Sequence, residues 1–118
     1  MSNIKGSIGT MLDIPPQSGT YVHAAGVTED TAITLSSSDL RRVNSVYFDL
    51  VNLTQNITIR VKAEVDDSTA RTIDTLNWVT ADEDGVLIGG FATDVDITIT
   101  FQSAVTEGAG RNIPYRVL

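Results

Sequence analysis

The segment ITIRVKAEV, residues 57–65, decides the fold class. Its odd positions are apolar and its even positions are polar or charged, without interruption over nine residues. Because successive side chains of a strand point to opposite faces, this period of two predicts a β-strand with one dry and one wet face. Residues 94–103 repeat the pattern, and there the side chains predicted to point inward are Val95, Ile97, Ile99 and Phe101.

The composition favours strands throughout the chain. The β-branched residues Val, Ile and Thr account for 38 of the 118 residues, and their restricted χ1 suits a pleated sheet better than a helix. Turn clusters separate about eight short strands. We therefore predict an all-β fold, a two-sheet antiparallel β-sandwich that is jelly-roll-like and carries an extended N-terminal arm. A Cys…Trp…Cys core is absent, which favours the jelly roll over an immunoglobulin-like strand order, although the sequence does not separate the two.

The remaining elements follow from shorter patterns. In the predicted strand 45–53, Val46, Phe48 and Leu50 are expected to point inward. The strand 71–78 is expected to pair back on residues 57–65 as a hairpin, and Pro114 suggests that the last strand lies at a sheet edge. Further strands are predicted at residues 21–25, 31–36, 86–88 and 112–118, with one helical turn at residues 38–42.

Residues 1–19 differ from the rest of the chain. We predict that they form an extended arm and that residues 20–118 form the β-sandwich domain. The arm has no period of two or of about 3.6, and Pro15-Pro16 stiffen it. Its apolar side chains are too many for a tail in water, so we expect docking on the same subunit or on a partner, with a frayed terminus as the alternative. The side chains predicted to bind are Ile4, Ile8, Leu12 and Ile14.

The sequence carries no pattern of catalytic chemistry. Cysteine is absent, and the one histidine, His23, lies in a predicted strand without a serine in a Gly-x-Ser-x-Gly turn to complete a triad. Carboxylates at residues 66–67, 82–84, 94 and 96 are interpreted as turn residues, because the EF-hand-like start at residues 82–85 lacks its remaining ligands. We predict a protein that is not an enzyme, with no catalytic residue, no cofactor and no metal.

Net charge and hydropathy argue against a nucleic-acid partner and a membrane partner. Eight basic against fifteen acidic residues give a net charge of −7, which argues against a nucleic-acid partner. No apolar run approaches about eighteen residues, so no membrane partner is expected. The N-terminal residues also lack a signal-peptide stretch, so export is not expected.

Three segments resemble a known class of proteins: NLTQNITIRV at residues 52–61, DGVLI at 84–88, and SAVTEG at 103–108 leading to Ile113-Pro114-Tyr115. They are similar to small β-sandwich proteins encoded among the structural proteins of tailed bacteriophages. The resemblance implies a non-enzymatic virion protein, such as a capsid decoration (cement) protein that binds and stabilises the head shell, often as a trimer gripping it with a terminal arm. The implied partners are the major capsid protein or other virion proteins. The implied location is the surface of the phage particle, after synthesis in the host cytoplasm.

A second function stays open. A tail-fibre or surface-adhesion module that binds a host glycan or receptor would expose aromatic side chains along a groove. The candidates are Tyr21, Tyr47, Trp78 and Tyr115, although the parity of Trp78 with Leu76 favours packing for the tryptophan. The surplus of aliphatic residues for so small a sandwich, together with the resemblance, predicts a homo-oligomer, a trimer.

Overall fold

The structure, a computed structural model, describes residues 17–36, 45–64, 69–80, 82–91 and 95–118. Across these ranges the chain forms strands and no helix, and so no helix that could cross a membrane. The arm residues 1–16 and the predicted helical turn at residues 38–42 lie outside the described residues. The eight strands are β1 (Gln17–His23), β2 (Asp30–Leu35), β3 (Ser45–Asp49), β4 (Ile57–Glu64), β5 (Ala70–Trp78), β6 (Gly85–Gly89), β7 (Ile97–Ser103) and β8 (Arg111–Val117).

The strands form two four-stranded antiparallel sheets. Sheet I has the order β1-β8-β3-β6, and sheet II has the order β2-β7-β4-β5. The strand pairing is that of one long hairpin that has been folded up. Its successive pairs belong alternately to sheet I and sheet II, and they are β1–β8, β2–β7, β3–β6 and β4–β5. This is the jelly-roll arrangement. The predicted all-β, jelly-roll-like sandwich of eight strands is therefore confirmed, as is the hairpin between β4 and β5.

The last strand is not at a sheet edge, and that prediction from Pro114 is wrong. β8 lies between β1 and β3. The ladder between β3 and β8 ends at the pair Phe48 and Tyr115, so Pro114 pairs only with Thr20 of β1. At this residue β8 has one paired neighbour, which is the situation in which a strand tolerates a residue without an N–H.

The core lies between the two sheets and uses the faces that the alternation predicted. On β4 the odd positions are buried and the even positions are half-buried. The rings of Phe48 in sheet I and Phe101 in sheet II meet edge to face, with their centroids 5.0 Å apart. Such a ring pair adds about 0.5–1.5 kcal/mol beyond the area it buries. Other buried side chains predicted to point inward are Val46, Leu50, Ile57, Ile59, Val61, Ala63, Ile97 and Ile99.

The two lateral edges of the sandwich differ. At one edge β1 lies against β2, and polar side chains connect the sheets. At the other edge β5 and β6 face each other, but β5 has nine residues and β6 has five. The inner face of β5 is therefore covered over only part of its length, and every residue of β5 except Trp78 is exposed.

Replacement of Ile59 by Asp should unfold the domain. Ile59 is fully buried on β4, between β7 and β5. The change removes a buried aliphatic group and places a carboxyl group among apolar atoms, which should lower the free energy of unfolding by at least about 4 kcal/mol. Urea denaturation followed by circular dichroism measures this. Thr34→Asp on the exposed face of β2 is the control, and an Ile59→Asp protein as stable as this control would contradict the placement of β4.

Candidate functional site

His23 is buried between the sheets next to a serine and an aspartate, the residue types that complete a catalytic triad. Its Nε2 is 2.6 Å from the hydroxyl oxygen of Ser103 on β7, and its Nδ1 is 3.2 Å from Oδ1 of Asp30 on β2. The hydroxyl oxygen of Tyr21 is 3.3 Å from the same Nδ1. Sequence reasoning missed this cluster because Ser103 follows His23 by 80 residues and no local motif marks it.

The distances around His23 by themselves match those of a triad. When Nδ1 carries the proton it faces Oδ1 of Asp30, which has no other hydrogen-bond partner, and Nε2 accepts from the Ser103 hydroxyl. What separates the cluster from a catalytic triad is access to the serine.

Burial isolates the same cluster from solvent. Ser103 is 3% exposed and His23 is fully buried. Burial lowers the pKa of His23, against the opposite influence of the Glu107 carboxylate, so the imidazole is neutral at physiological pH. Burial raises the pKa of Asp30, although the backbone N–H groups of Ala24 and Asp30 act against it. The cluster therefore connects sheet I to sheet II at the β1–β2 edge and presents no nucleophile to a substrate.

A second buried polar group, the carboxylate of Glu107, organises the loops at one end of the sandwich. It accepts hydrogen bonds from the backbone N–H and the hydroxyl of Thr54, at 3.0 and 2.7 Å, and from the N–H of Gln55 at 3.0 Å. Arg111 pairs with it at 3.2 Å. Burial by itself raises the pKa of Glu107, but these donors outweigh it and the net pKa is lowered. The backbone N–H of Glu107 also donates to the carbonyl of Ala25, so one residue joins three loops.

All four loops at this end are connected by hydrogen bonds. Asn56, which precedes β4, accepts from the N–H of Ala104 with its carbonyl and from the N–H of Thr80 with its side chain. These bonds bring the β5–β6 loop to the β3–β4 and β7–β8 loops. Each of the four loops exposes one valine, and we call this surface the loop end: Val27, Val51, Val79 and Val105.

The acidic residues interpreted as turn residues do not converge. Asp82, Glu83 and Asp84 are exposed in the β5–β6 loop, and Asp96 is exposed before β7. Residues 66–67 and 94 lie outside the described residues. Within the described ranges, no group of three or more His, Asp and Glu side chains is placed to bind a metal.

Among the four aromatic candidates for sugar stacking, Tyr47 is the exposed one. Trp78 is buried and its Nε1–H donates to the carbonyl of Glu83, which confirms its predicted packing role. Tyr21 and Tyr115 are half-buried and pack against the core. Tyr47 lies on the outer face of sheet I, beside an open depression of about 400 Å³ that is also lined by Ser18, Gly19, Thr20, Asp49, Pro114, Tyr115 and Arg116.

A cleft of about 230 Å³ opens between the sheets at the β5–β6 edge, and we call it the edge cleft. Val61 and Ile88 of the core line it, together with Leu76, which is 40% exposed. Leu87, which is 64% exposed, borders the cleft from its rim, because it pairs with Tyr47 and its side chain therefore points to the outer face of sheet I. Asp74 and Gly89 complete the lining. Leu76 pairs with Ile59 and so faces inward, but no described strand covers it. The sequence pattern treated Leu76 and Trp78 as equivalent, because the unequal lengths of β5 and β6 are visible only in the fold.

The binding residues predicted from the sequence, Ile4, Ile8, Leu12 and Ile14, all lie outside the described residues. The structure therefore offers three described surfaces beside that prediction: the loop end, the depression beside Tyr47 and the edge cleft. Of the three, the edge cleft is the one lined by buried residues of the hydrophobic core, Val61 and Ile88.

The stability of the fold should fall as the pH drops below about 6.5, the ordinary pKa of histidine. Because the folded-state pKa of His23 is lowered, only the unfolded chain takes up the proton in this range, which favours unfolding. Each unit of lowering corresponds to about 1.4 kcal/mol. Urea denaturation between about pH 5 and pH 8 measures the effect.

His23→Gln is the matched control for this pH dependence, because it removes the titrating group and keeps Asp30. The raised pKa of Asp30 makes the folded state more stable as the pH falls, and it does so in both proteins. The difference between their curves of unfolding free energy against pH therefore isolates the contribution of His23. Identical pH dependence in the two proteins would contradict a neutral, buried His23.

Comparisons with known proteins give a fold likeness and no family. No protein-family model matches the chain, and no curated protein matches it significantly. Among solved structures, the mitogen of Yersinia pseudotuberculosis superimposes with a TM-score of 0.53 at 13% sequence identity, over 87% of this chain and 86% of that chain. At this identity the likeness shows the fold alone, and it agrees with a β-sandwich.

Proposed function

We propose that this protein is a non-enzymatic structural protein of a virion, a capsid decoration protein that binds and stabilises the head shell as a homo-oligomer. The observation that carries the proposal is the edge cleft, where Leu76 is exposed beside the core residues Val61 and Ile88 and Leu87 is exposed at the rim. Exposed apolar surface that continues into a core favours a protein contact. The likeness to the mitogen adds nothing to this proposal beyond the fold.

The buried polar groups support a structural role over a catalytic one. The Ser103–His23 pair lies inside the sandwich and connects its sheets, and the Glu107 carboxylate holds three loops in place. Both arrangements make the domain rigid and leave its polar chemistry out of reach of a ligand. A rigid module that withstands load and proteolysis is what a shell-stabilising protein requires.

The free energy gained by covering the edge cleft is too small for a stable complex, so each subunit has to make more than one contact with its partners. Full burial of an aliphatic side chain contributes about 1.5–3 kcal/mol, so covering the exposed parts of Leu76 and Leu87 contributes roughly 1.5–3 kcal/mol. Association costs an estimated 4–15 kcal/mol. The edge cleft alone therefore gives a weak pair, and the contact has to be repeated around a ring or supplemented by the arm and the shell.

The loop end supplies a second surface for the shell in this proposal. Its four valines stand on loops that hydrogen bonds already hold in place, so little conformational entropy is lost when they bind. The neighbouring acidic residues Asp82, Glu83 and Asp84 favour a partner surface with basic groups around an apolar centre. We assign the loop end to the major capsid protein and the edge cleft to self-association.

The native mass and shell binding of two double variants test the proposal. Leu76→Ser with Leu87→Ser should weaken self-association by about tenfold or more, since it removes the exposed leucine of the edge cleft and the one at its rim. Val51→Ser with Val105→Ser should leave the oligomer intact and reduce binding to head shells of the major capsid protein from the same genome. Each double variant is the control for the other. A wild-type chain that is monomeric at micromolar concentration and does not bind shells would contradict the proposal.

A second candidate function, adhesion to a host glycan or receptor, is favoured by the depression beside Tyr47. An exposed aromatic ring lies there with the carboxylate of Asp49, the guanidinium of Arg116 and the hydroxyls of Ser18 and Thr20. Such a mixture of an apolar ring and hydrogen-bonding groups suits a sugar.

Binding to a glycan array tests this candidate. Tyr47→Ala should abolish retention of any bound glycan, because it removes the stacking ring. Val22→Ala, an exposed position on the outer face of the same sheet, should not change it. The absence of any bound glycan with the wild-type chain would leave the decoration role as the surviving proposal.

A further inference from the structure

The first described strand begins at the edge of the sandwich opposite the edge cleft. Gln17 of β1 pairs with Val117, Val117 pairs with Val46, and Val46 pairs with Ile88 of β6, so these residues form one row across sheet I. Ile88 lines the edge cleft. Three strand spacings, roughly 14 Å, therefore separate the point where residues 1–16 join the sandwich from the cleft at the other edge.

The edge cleft is suited to an extended apolar segment. Four of its six described lining residues are aliphatic, and Asp74 is the one charged residue among the six. β5 and β6, which flank it, are the end strands of their sheets, so each has one side that pairs with no described strand. An added extended segment can hydrogen-bond to such a side while its side chains enter the cleft.

Residues 1–16 match these requirements in sequence. They carry four large aliphatic residues, and Gly6 and Gly9 allow a close approach of the main chain. Lys5 follows the first isoleucine and complements Asp74 in charge. Sixteen residues span up to roughly 50 Å when extended, which is ample to cross a contact between two subunits and fill a cleft.

We propose that residues 1–16 of one copy bind in the edge cleft of a neighbouring copy, and that this exchange closes a ring of identical subunits. The segment leaves each subunit at the β1 edge, and its receptor lies at the β5–β6 edge of the same sandwich. A donor and an acceptor on opposite edges produce a head-to-tail contact, which closes into a ring when the rotation between neighbours allows it. The inference rests on the self-association in the proposed function and names its contact.

Disulfide trapping in the full chain tests the exchange, because the sequence has no cysteine of its own. Four variants carry one cysteine each in the segment, at Ile4, Ile8, Leu12 or Ile14, and a fifth carries Leu76→Cys, at the exposed position that faces into the cleft. Each segment variant is mixed with Leu76→Cys, left to exchange subunits and oxidised. Mass spectrometry then identifies the mixed dimers. At least one segment position should link to Leu76→Cys at least tenfold faster than to the control Val105→Cys, which is 55% exposed on the loop end.

A double variant with both cysteines in one chain separates exchange from folding back. In the proposed ring it should give linked chains of two or more subunits on a non-reducing gel. A disulfide within one chain as the main product would show that the segment binds its own cleft, which overturns the exchange. The same rate with Leu76→Cys and Val105→Cys would overturn it as well.

The mass of a full-length chain with a polar segment distinguishes this inference from the proposed function. Replacement of Ile4, Ile8, Leu12 and Ile14 by Ser should reduce the oligomer to single chains, with the far-ultraviolet circular dichroism of the sandwich unchanged. An oligomer that persists in this variant would overturn the exchange and leave self-association standing. A wild-type chain that is monomeric would overturn both.

Discussion

The structure depends on the need of each apolar sheet face to be covered by the other sheet. The inner faces of β4 and β7 consist of large aliphatic and aromatic side chains that cannot remain in water, and the Phe48–Phe101 ring pair marks where sheet I closes over them. Where facing strands match in length, the interior is sealed. β5 is longer than β6, and at this edge the interior is open. The edge cleft is therefore the place where one apolar sheet face is not fully covered by the other sheet.

Two buried polar groups determine which parts of the sandwich are rigid. The link from His23 to Ser103 closes the β1–β2 edge, and the Glu107 carboxylate joins loops at one end. A buried polar group is tolerated only when its hydrogen bonds are made, so each of these residues holds its partners in one geometry. The β5–β6 edge, where the edge cleft opens, is the edge to which we assign the proposed self-association.

The cluster of Ser103, His23 and Asp30 shows why proximity of triad residues does not establish catalysis. Its distances resemble those of a triad, yet both the serine and the histidine are buried between the sheets. A function by surface contact is consistent with these facts. The edge cleft and the loop end lie on different parts of the domain, so the proposed self-association and the proposed shell binding use separate surfaces.

The sequence by itself determined the fold class, most strand positions and the inward faces of β3, β4 and β7, because a period of two is a local property of each strand. It also indicated the jelly roll, although only the pairing of strands distant in the chain established the order. Tertiary structure alone decided that β8 is central despite Pro114, that Ser103 meets His23 and that Glu107 is buried. It alone decided that Leu76 is exposed while Trp78, two residues later, is covered. The position of β8, the His23–Ser103 contact, the burial of Glu107 and the exposure of Leu76 all depend on which distant segment lies opposite and how far it extends. A local sequence pattern carries no information about a distant segment.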